Sequence, residues 1–235
     1  MNLPSPLIPG QLVRRYQRFL ADIQLDDQRV ITAHTPNTGR MQQCAEPGTD
    51  VLVSKSDNPK RKLAFSWELA RVNGHWVDIN TIRANRVVEE ALCHNRIPEL
   101  RDFQVRREYP FGESRLDFML AKDDQRVLLE VKSVTLCCEP EVACFPDAVT
   151  TRGQKHLAAL SAAVRAGWRA VIFFLVQRAE TKRFSPADRI DPDYGRLLRE
   201  ACASGVEAIA YRAVVTPRET KLGRQLPVVL SPRRR

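Results

Sequence analysis

Alternation of apolar and polar positions dominates the first third of the chain. Phe19, Ala21, Ile23 and Leu25 alternate with polar neighbours, Asp26-Asp27 supplies a turn, and Val30, Thr32 and His34 resume the alternation. Asn37-Thr38-Gly39 and Pro47-Gly48 are loop signals. Val51 to Ser56, Leu63 to Val72 and His75 to Ile79 form three further strand candidates, the last two joined by Asn73-Gly74. About five short strands in about 70 residues predict a small barrel, since closing the sheet removes its exposed edges. An OB-like barrel over residues 1–80 is the expectation, with a groove suited to single strands.

At Asn80 the period changes from two to helical. Asn80 or Thr81 caps a helix in which Ala84, Val87, Val88, Ala91 and Leu92 share a face. Beyond it the pattern predicts strands at Phe103 to Tyr109, Arg115 to Leu120 and Val127 to Thr135, then a helix from Thr151 to Ala166 stopped by Gly167. A buried strand at Ala170 to Val176, a helix opened by Asp191-Pro192, and a strand at Val206 to Ala213 complete the series. Residues 81–235 thus read as an α/β domain around a central mixed sheet, giving a mixed α and β chain of two domains.

Composition narrows the partner. The 235 residues carry 37 Lys+Arg against 28 Asp+Glu, a net charge of +9, which favours an anionic partner such as nucleic acid. No run approaches the roughly 18 to 20 apolar residues of a membrane-spanning helix. Near the start, arginines follow a short apolar stretch broken by prolines, the reverse of a signal peptide's order, so a cytoplasmic protein with no membrane partner is expected. The six cysteines show no Cys-x-x-Cys pair and are expected to be reduced thiols.

Candidate chemistry concentrates on two strands. Asp117 lies in Arg115-Leu116-Asp117-Phe118, and Glu130 and Lys132 stand two apart in Leu129-Glu130-Val131-Lys132, on one face of the next strand. A hairpin through Lys122 to Arg126 brings the two carboxylates and the ammonium together. Close carboxylates repel unless a cation neutralises them, and Mg²⁺ (or Mn²⁺) suits Asp117, Glu130 and the Val131 carbonyl. Such an ion lowers the pKa of a bound water while Lys132 serves as the catalytic cation at a phosphoryl group. Glu89 and Glu90 on the preceding helix compete for the place of third acidic ligand, and Glu90 is preferred. The bland reading is a surface hairpin with an ion pair worth well under ~1 kcal/mol, against which stands the apolar character of both strands.

A helix with an acid, an Asp on one strand and Glu-x-Lys on the next resembles the PD-(D/E)XK nuclease superfamily, with Leu116 where its signature has Pro. Longer segments resemble the sugar fermentation stimulation protein (SfsA) family: His34-Thr35-Pro36-Asn37-Thr38-Gly39-Arg40-Met41, Ser56-Asp57-Asn58-Pro59-Lys60-Arg61-Lys62, Glu130-Val131-Lys132-Ser133-Val134-Thr135 and Phe145-Pro146-Asp147-Ala148-Val149-Thr150-Thr151-Arg152-Gly153-Gln154-Lys155-His156-Leu157. The resemblance spans essentially the whole chain. It implies an OB-like barrel, a nuclease-like second domain and DNA binding, without establishing cleavage. A Mg²⁺-dependent nuclease is expected; the alternative is a non-catalytic, largely sequence-nonspecific DNA-binding regulator of sugar-utilisation genes, and RNA is a further possible partner.

Several basic and aromatic positions are candidates for gripping nucleic acid. Arg152 and Lys155 begin a helix, where free N–H groups favour phosphate. Asn37 and Arg40 sit in a loop that binds a phosphate or merely turns the chain. Lys60, Arg61 and Lys62 followed by Trp67 offer charge and a stacking ring, or a solvated run beside a core aromatic. Arg14, Arg15 and Arg18 are a weaker case of the same kind, His156 is ambiguous, and the terminal Arg233-Arg234-Arg235 reads as a solvated tail or a phosphate clamp. The oligomeric state is left open, a homodimer included.

Overall fold

A computed structural model describes residues 1–231; the terminal arginine triplet lies outside the described residues. The first domain contains β1 (Leu7–Tyr16), β2 (Leu20–Leu25), β3 (Val30–His34), β4 (Asp50–Lys55), β5 (Phe65–Val72) and β6 (His75–Asp78). They run in the order β3-β2-β1-β4-β5-β6, and a parallel pairing of Ala33 and His34 with Phe65 and Ser66 closes five of them into a barrel. Strand β1 was not among the strands expected, because Pro9 and Gly10 interrupt its apolar pattern. Gly10 is needed there: a Cβ would stand 2.7 Å from the Gln24 carbonyl oxygen on the neighbouring strand.

Leu12, Ile23, Val53 and Trp67 fill the barrel. Trp67 is fully buried and its indole N–H donates to the Leu69 carbonyl at 2.9 Å. That corrects its expected role: the pleat turns Trp67 inward, and it cannot stack on a base.

Asn80 caps α1 (Thr81–Cys93), its side chain accepting the N–H groups of Ile82 and Arg83. There follow β7 (Gln104–Phe111), β8 (Ser114–Lys122), β9 (Gln125–Val134), β10 (Leu136–Glu139), β11 (Val142–Phe145), α2 (Thr151–Arg165), β12 (Arg169–Val176), β13 (Arg183–Pro186), α3 (Pro192–Ala203), β14 (Glu207–Val215) and β15 (Thr220–Leu226). The main sheet has the order β15-β14-β12-β9-β8-β7, parallel through β9, β12 and β14 and antiparallel at both flanks. Strand β12 (RAVIFFLV) is the most apolar because helices cover both faces. Val87, Val88 and Ala91 of α1 pack on one face with Phe173, and Leu157 of α2 and Leu198 of α3 on the other with Phe174.

Strands β10, β11 and β13 form a small separate sheet that the apolar pattern did not predict, being only four residues each. In the β10–β11 pair Cys144 stands opposite Leu136 and Cys138 falls within a register shift; Cys138 and Cys144 are joined as a disulfide with Cα atoms 5.9 Å apart. The expectation of reduced thiols fails for this pair.

Several joints hold the domains together. Arg83 of α1 reaches back to Glu68 and Asp78 of the barrel, and Thr220 of β15 donates to Asp78 at 2.7 Å. The Gln43 side chain meets both backbone groups of Cys137, donating at 2.8 Å and accepting at 3.1 Å, as a neighbouring strand would.

Candidate functional site

Regular pairing between β8 and β9 runs from Lys122↔Gln125 to Phe118↔Leu129 and then stops. Beyond that point side chains replace the backbone ladder. The Asp117 N–H donates to Glu130 Oε2 at 3.3 Å, and the Val131 N–H donates to Asp117 Oδ2 at 2.8 Å. Where the strands part, the sequence supplies carboxylates as acceptors, and the parting opens them to the cleft above. Asn85 of α1 donates its amide to Asp117 Oδ1 at 2.6 Å.

Glu130 is 3% exposed, and its Oε1 receives the Lys132 Nζ at 2.6 Å and Nδ1 of His156, which α2 delivers. Arg152, one helical turn earlier, donates Nε–H to His156 Nε2 at 3.4 Å. Nδ1 of the imidazole therefore faces Glu130, with Lys132 Nζ 3.3 Å from the same nitrogen.

The two carboxyls are pushed apart electrostatically. Burial and then the neighbouring Glu130 raise Asp117 to about 7, a rise that the Val131 N–H, Lys132 and Asn85 only partly offset. Burial also presses Glu130 upward, but the Lys132 ammonium and the His156 ring outweigh it and leave Glu130 below its ordinary value. Among the described residues no three His, Cys, Asp or Glu side chains converge as a metal-ligand group.

Above the pair lies a cleft of about 1050 Å³ with walls from both domains: Arg15, Arg18 and Arg40 from the barrel, Arg107 and Arg152 from the second domain. Arg15 orders the barrel wall by donating to the carbonyls of Asn37 at 2.8 Å, Arg40 at 3.2 Å and Arg18. Asn37 is buried, and its side chain accepts the Gly39 N–H at 2.9 Å in a tight turn. Asp147, from the far wall, accepts the Met41 N–H at 2.8 Å. A Cβ on Gly39 would stand 2.6 Å from both Asp147 carboxylate oxygens, so glycine lets the two walls meet.

Of the residues singled out in the sequence, Asp117, Glu130, Val131, Lys132, Asn37, Arg40 and Arg152 line this one cleft. Glu90 does not. It is bound by the Met1 amino group at 2.7 Å and faces Arg96, while Glu89 faces Arg107 at 3.6 Å. The helix offers the neutral Asn85 instead, which a search for acids passes over. Lys60, Arg61 and Lys62 are exposed outside the cleft lining, with Arg61 donating to Ser66 at 3.0 Å, and Lys155 is likewise exposed and off the cleft. Arg15 and Arg18, the weaker basic candidates, line the cleft as well, whereas Arg107 and the hydrogen bond of His156 to Glu130 were not legible. A basic residue near a loop signal was the only hint.

Comparison with known proteins matches residues 13–79 to the SfsA N-terminal OB domain and residues 82–219 to the sugar fermentation stimulation protein RE domain. The chain belongs to the SfsA family. It is 59% identical over 230 residues to a sugar fermentation stimulation protein homolog of Syntrophotalea carbinolica, covering 98% of this chain and all of that one. A Geobacter metallireducens homolog is 55% identical over 233 residues, again 98% of this chain and 100% of the relative. The solved structure of Pyrococcus furiosus SfsA in complex with Ca²⁺ superposes with a TM-score of 0.89 at 28% identity, over 97% of this chain and 98% of that one. This SfsA-family chain contains no helix, among its described residues, that is long and apolar enough to cross a membrane.

Proposed function

We propose that the chain is a nucleic-acid-binding protein that hydrolyses phosphodiester bonds in a Mg²⁺- or Mn²⁺-dependent reaction, with DNA as the first candidate substrate, RNA as the second and the cytoplasm as its place of action. The observation that carries this reading is a carboxylate pair, Glu130 buried and Asp117 half-buried, with its lysine at the floor of an arginine-walled cleft. The donor set fits a hard cation. Burial first and the neighbouring Glu130 second raise Asp117 to about 7, and two carboxylates with one carbonyl suit an ion that keeps several waters. Asp117 and Glu130 would hold it together with the Val131 carbonyl, which in an extended strand shares its side with the N–H that Asp117 already accepts. Ca²⁺ in the Pyrococcus furiosus relative has the same preference for oxygen ligands.

When bound, the ion supplies Lewis-acid polarisation of a phosphoryl oxygen and a water of lowered pKa. The chain's own groups do the remaining work. Asn85 and the Val131 N–H fix the orientation of Asp117. His156 and Lys132 hold Glu130 ionised, and Lys132 Nζ, beside the carboxylates, offers positive charge to the developing phosphate oxyanion. Arg15, Arg18, Arg40, Arg107 and Arg152 supply the sequence-independent attraction for the backbone.

The test is incubation of wild type and Lys132→Ala with labelled DNA and RNA, in Mg²⁺, Mn²⁺ or EDTA, resolved on a denaturing gel. Metal-dependent cleavage that falls about 100- to 1000-fold in the variant, with affinity retained, is the expected result. Salt-sensitive binding with no cleavage of any substrate would replace this reading by the non-catalytic regulator.

A further inference from the structure

Six large hydrophobic side chains stand exposed among the described residues: Val13, Phe19, Val30, Ile82, Val149 and Val214. Two of them share one cleft. Ile82, 57% exposed in the first turn of α1, and Val149, 68% exposed just before the cap of α2, both line the arginine-walled cleft. Phe19, 46% exposed, follows Gln17 and Arg18, which line the same cleft from the barrel. None of the three belongs to a hydrophobic cluster, and the Phe19 ring lies 6.5 Å from that of His34.

We infer that the cleft receives a single strand, with phosphates on the rim arginines and unpaired bases resting on Ile82, Val149 and Phe19. The inference deepens the nuclease reading and rests on it for the cleft being a nucleic-acid site. Three physical arguments carry it.

A duplex turns its base faces inward and presents phosphates, sugars and base edges, which offer an exposed aliphatic side chain less apolar surface than the open face of an unstacked base. The space agrees. About 1050 Å³ is close to the size of a small-molecule pocket and has room for a few extended nucleotides, not for a duplex turn of about 34 Å.

Charge is arranged to match. The first turns of α1 and α2, which carry or adjoin Ile82 and Val149, contain no acidic residue. Thr81 and Arg152 of those same turns line the cleft. Phosphates therefore meet the positive ends of two helices and arginine beside the apolar contacts that take the bases.

Binding in EDTA separates this from catalysis. Fluorescence anisotropy compares a labelled oligothymidine with a duplex of equal length, for wild type, an Ile82→Ser/Val149→Ser double variant, Phe19→Ala, and Val30→Ser as an exposed apolar control away from the cleft. The expected result is tighter binding of the single strand by wild type. The double variant loses about tenfold and Phe19→Ala about fivefold on that strand, while duplex binding moves less than about twofold and Val30→Ser changes neither. Tighter duplex binding by wild type, or equal losses on both substrates, would overturn the inference and leave the nuclease reading standing. Failure to bind any nucleic acid would overturn both.

Discussion

Two charge clusters in this molecule, one buried and one half-buried, have the same formal composition, two carboxylates and one permanent cation, and opposite surroundings. In the first, Arg83 lies between Glu68 and Asp78, and every carboxylate oxygen has a donor: Ser54 on Glu68 Oε1, Arg83 and Asn80 on Glu68 Oε2, Arg83 and the Asn80 N–H on Asp78 Oδ1, Thr220 on Asp78 Oδ2. In the second, Lys132 and His156 both crowd onto Glu130 Oε1, while Asp117 has Asn85 and one backbone N–H and faces a cleft. Burial raises Asp78 as it raises Asp117, so burial and a displaced pKa do not by themselves mark a site. What distinguishes the second cluster is access. Its excess charge lies where an ion or substrate can reach it, whereas the first is sealed between barrel, α1 and β15.

The sealed cluster should be the costlier one to break. Arg83→Met leaves Glu68 and Asp78 buried without their cation, and a loss of about 3–5 kcal/mol in denaturant unfolding is expected. A loss below about 1 kcal/mol would mean that the joint between the domains is carried by other contacts.

The open cluster should respond to metal and pH. Because Asp117 is raised to about 7 from 3.8, the metal-free fold favours its protonated form; that contribution is fully present below pH 3.8 and is lost as pH rises through 7. Bound Mg²⁺ must displace the proton, so its stabilisation should be small at pH 5 and approach about 2.7 kcal/mol at pH 8 for a concentration a hundred times Kd. Thermal unfolding with and without Mg²⁺ across that range checks the sign. A metal-induced shift independent of pH would remove Asp117 from the ligand set. The smallest effect should be that of Glu90→Gln, which touches only the amino terminus and Arg96: cleavage unchanged and stability altered by less than about 0.5 kcal/mol. A variant as inactive as Lys132→Ala would restore Glu90 to the site.

What the residue order determined by itself is the part of the molecule governed by short-range rules. Period-two alternation placed β2 to β9 within a few residues, Asn80 and Asp191 announced α1 and α3 through their caps, and the hairpin through Lys122 to Arg126 made the approach of Asp117 to Glu130 and Lys132 readable. Helix α2 brought Arg152 for the same reason. Other outcomes depended on contacts distant in sequence. The α1 pattern leaves two flanks beside its apolar stripe, and Glu90 lies about 140° around the helix from Asn85. Packing of Val87, Val88 and Ala91 on the sheet decided which flank faces Asp117. Barrel closure turned Trp67 inward, and the docking of Gly39 on Asp147 made one cleft from two domains. Local periodicity shows which residues share a face. Only tertiary packing sets the rotation of that face and the element it meets.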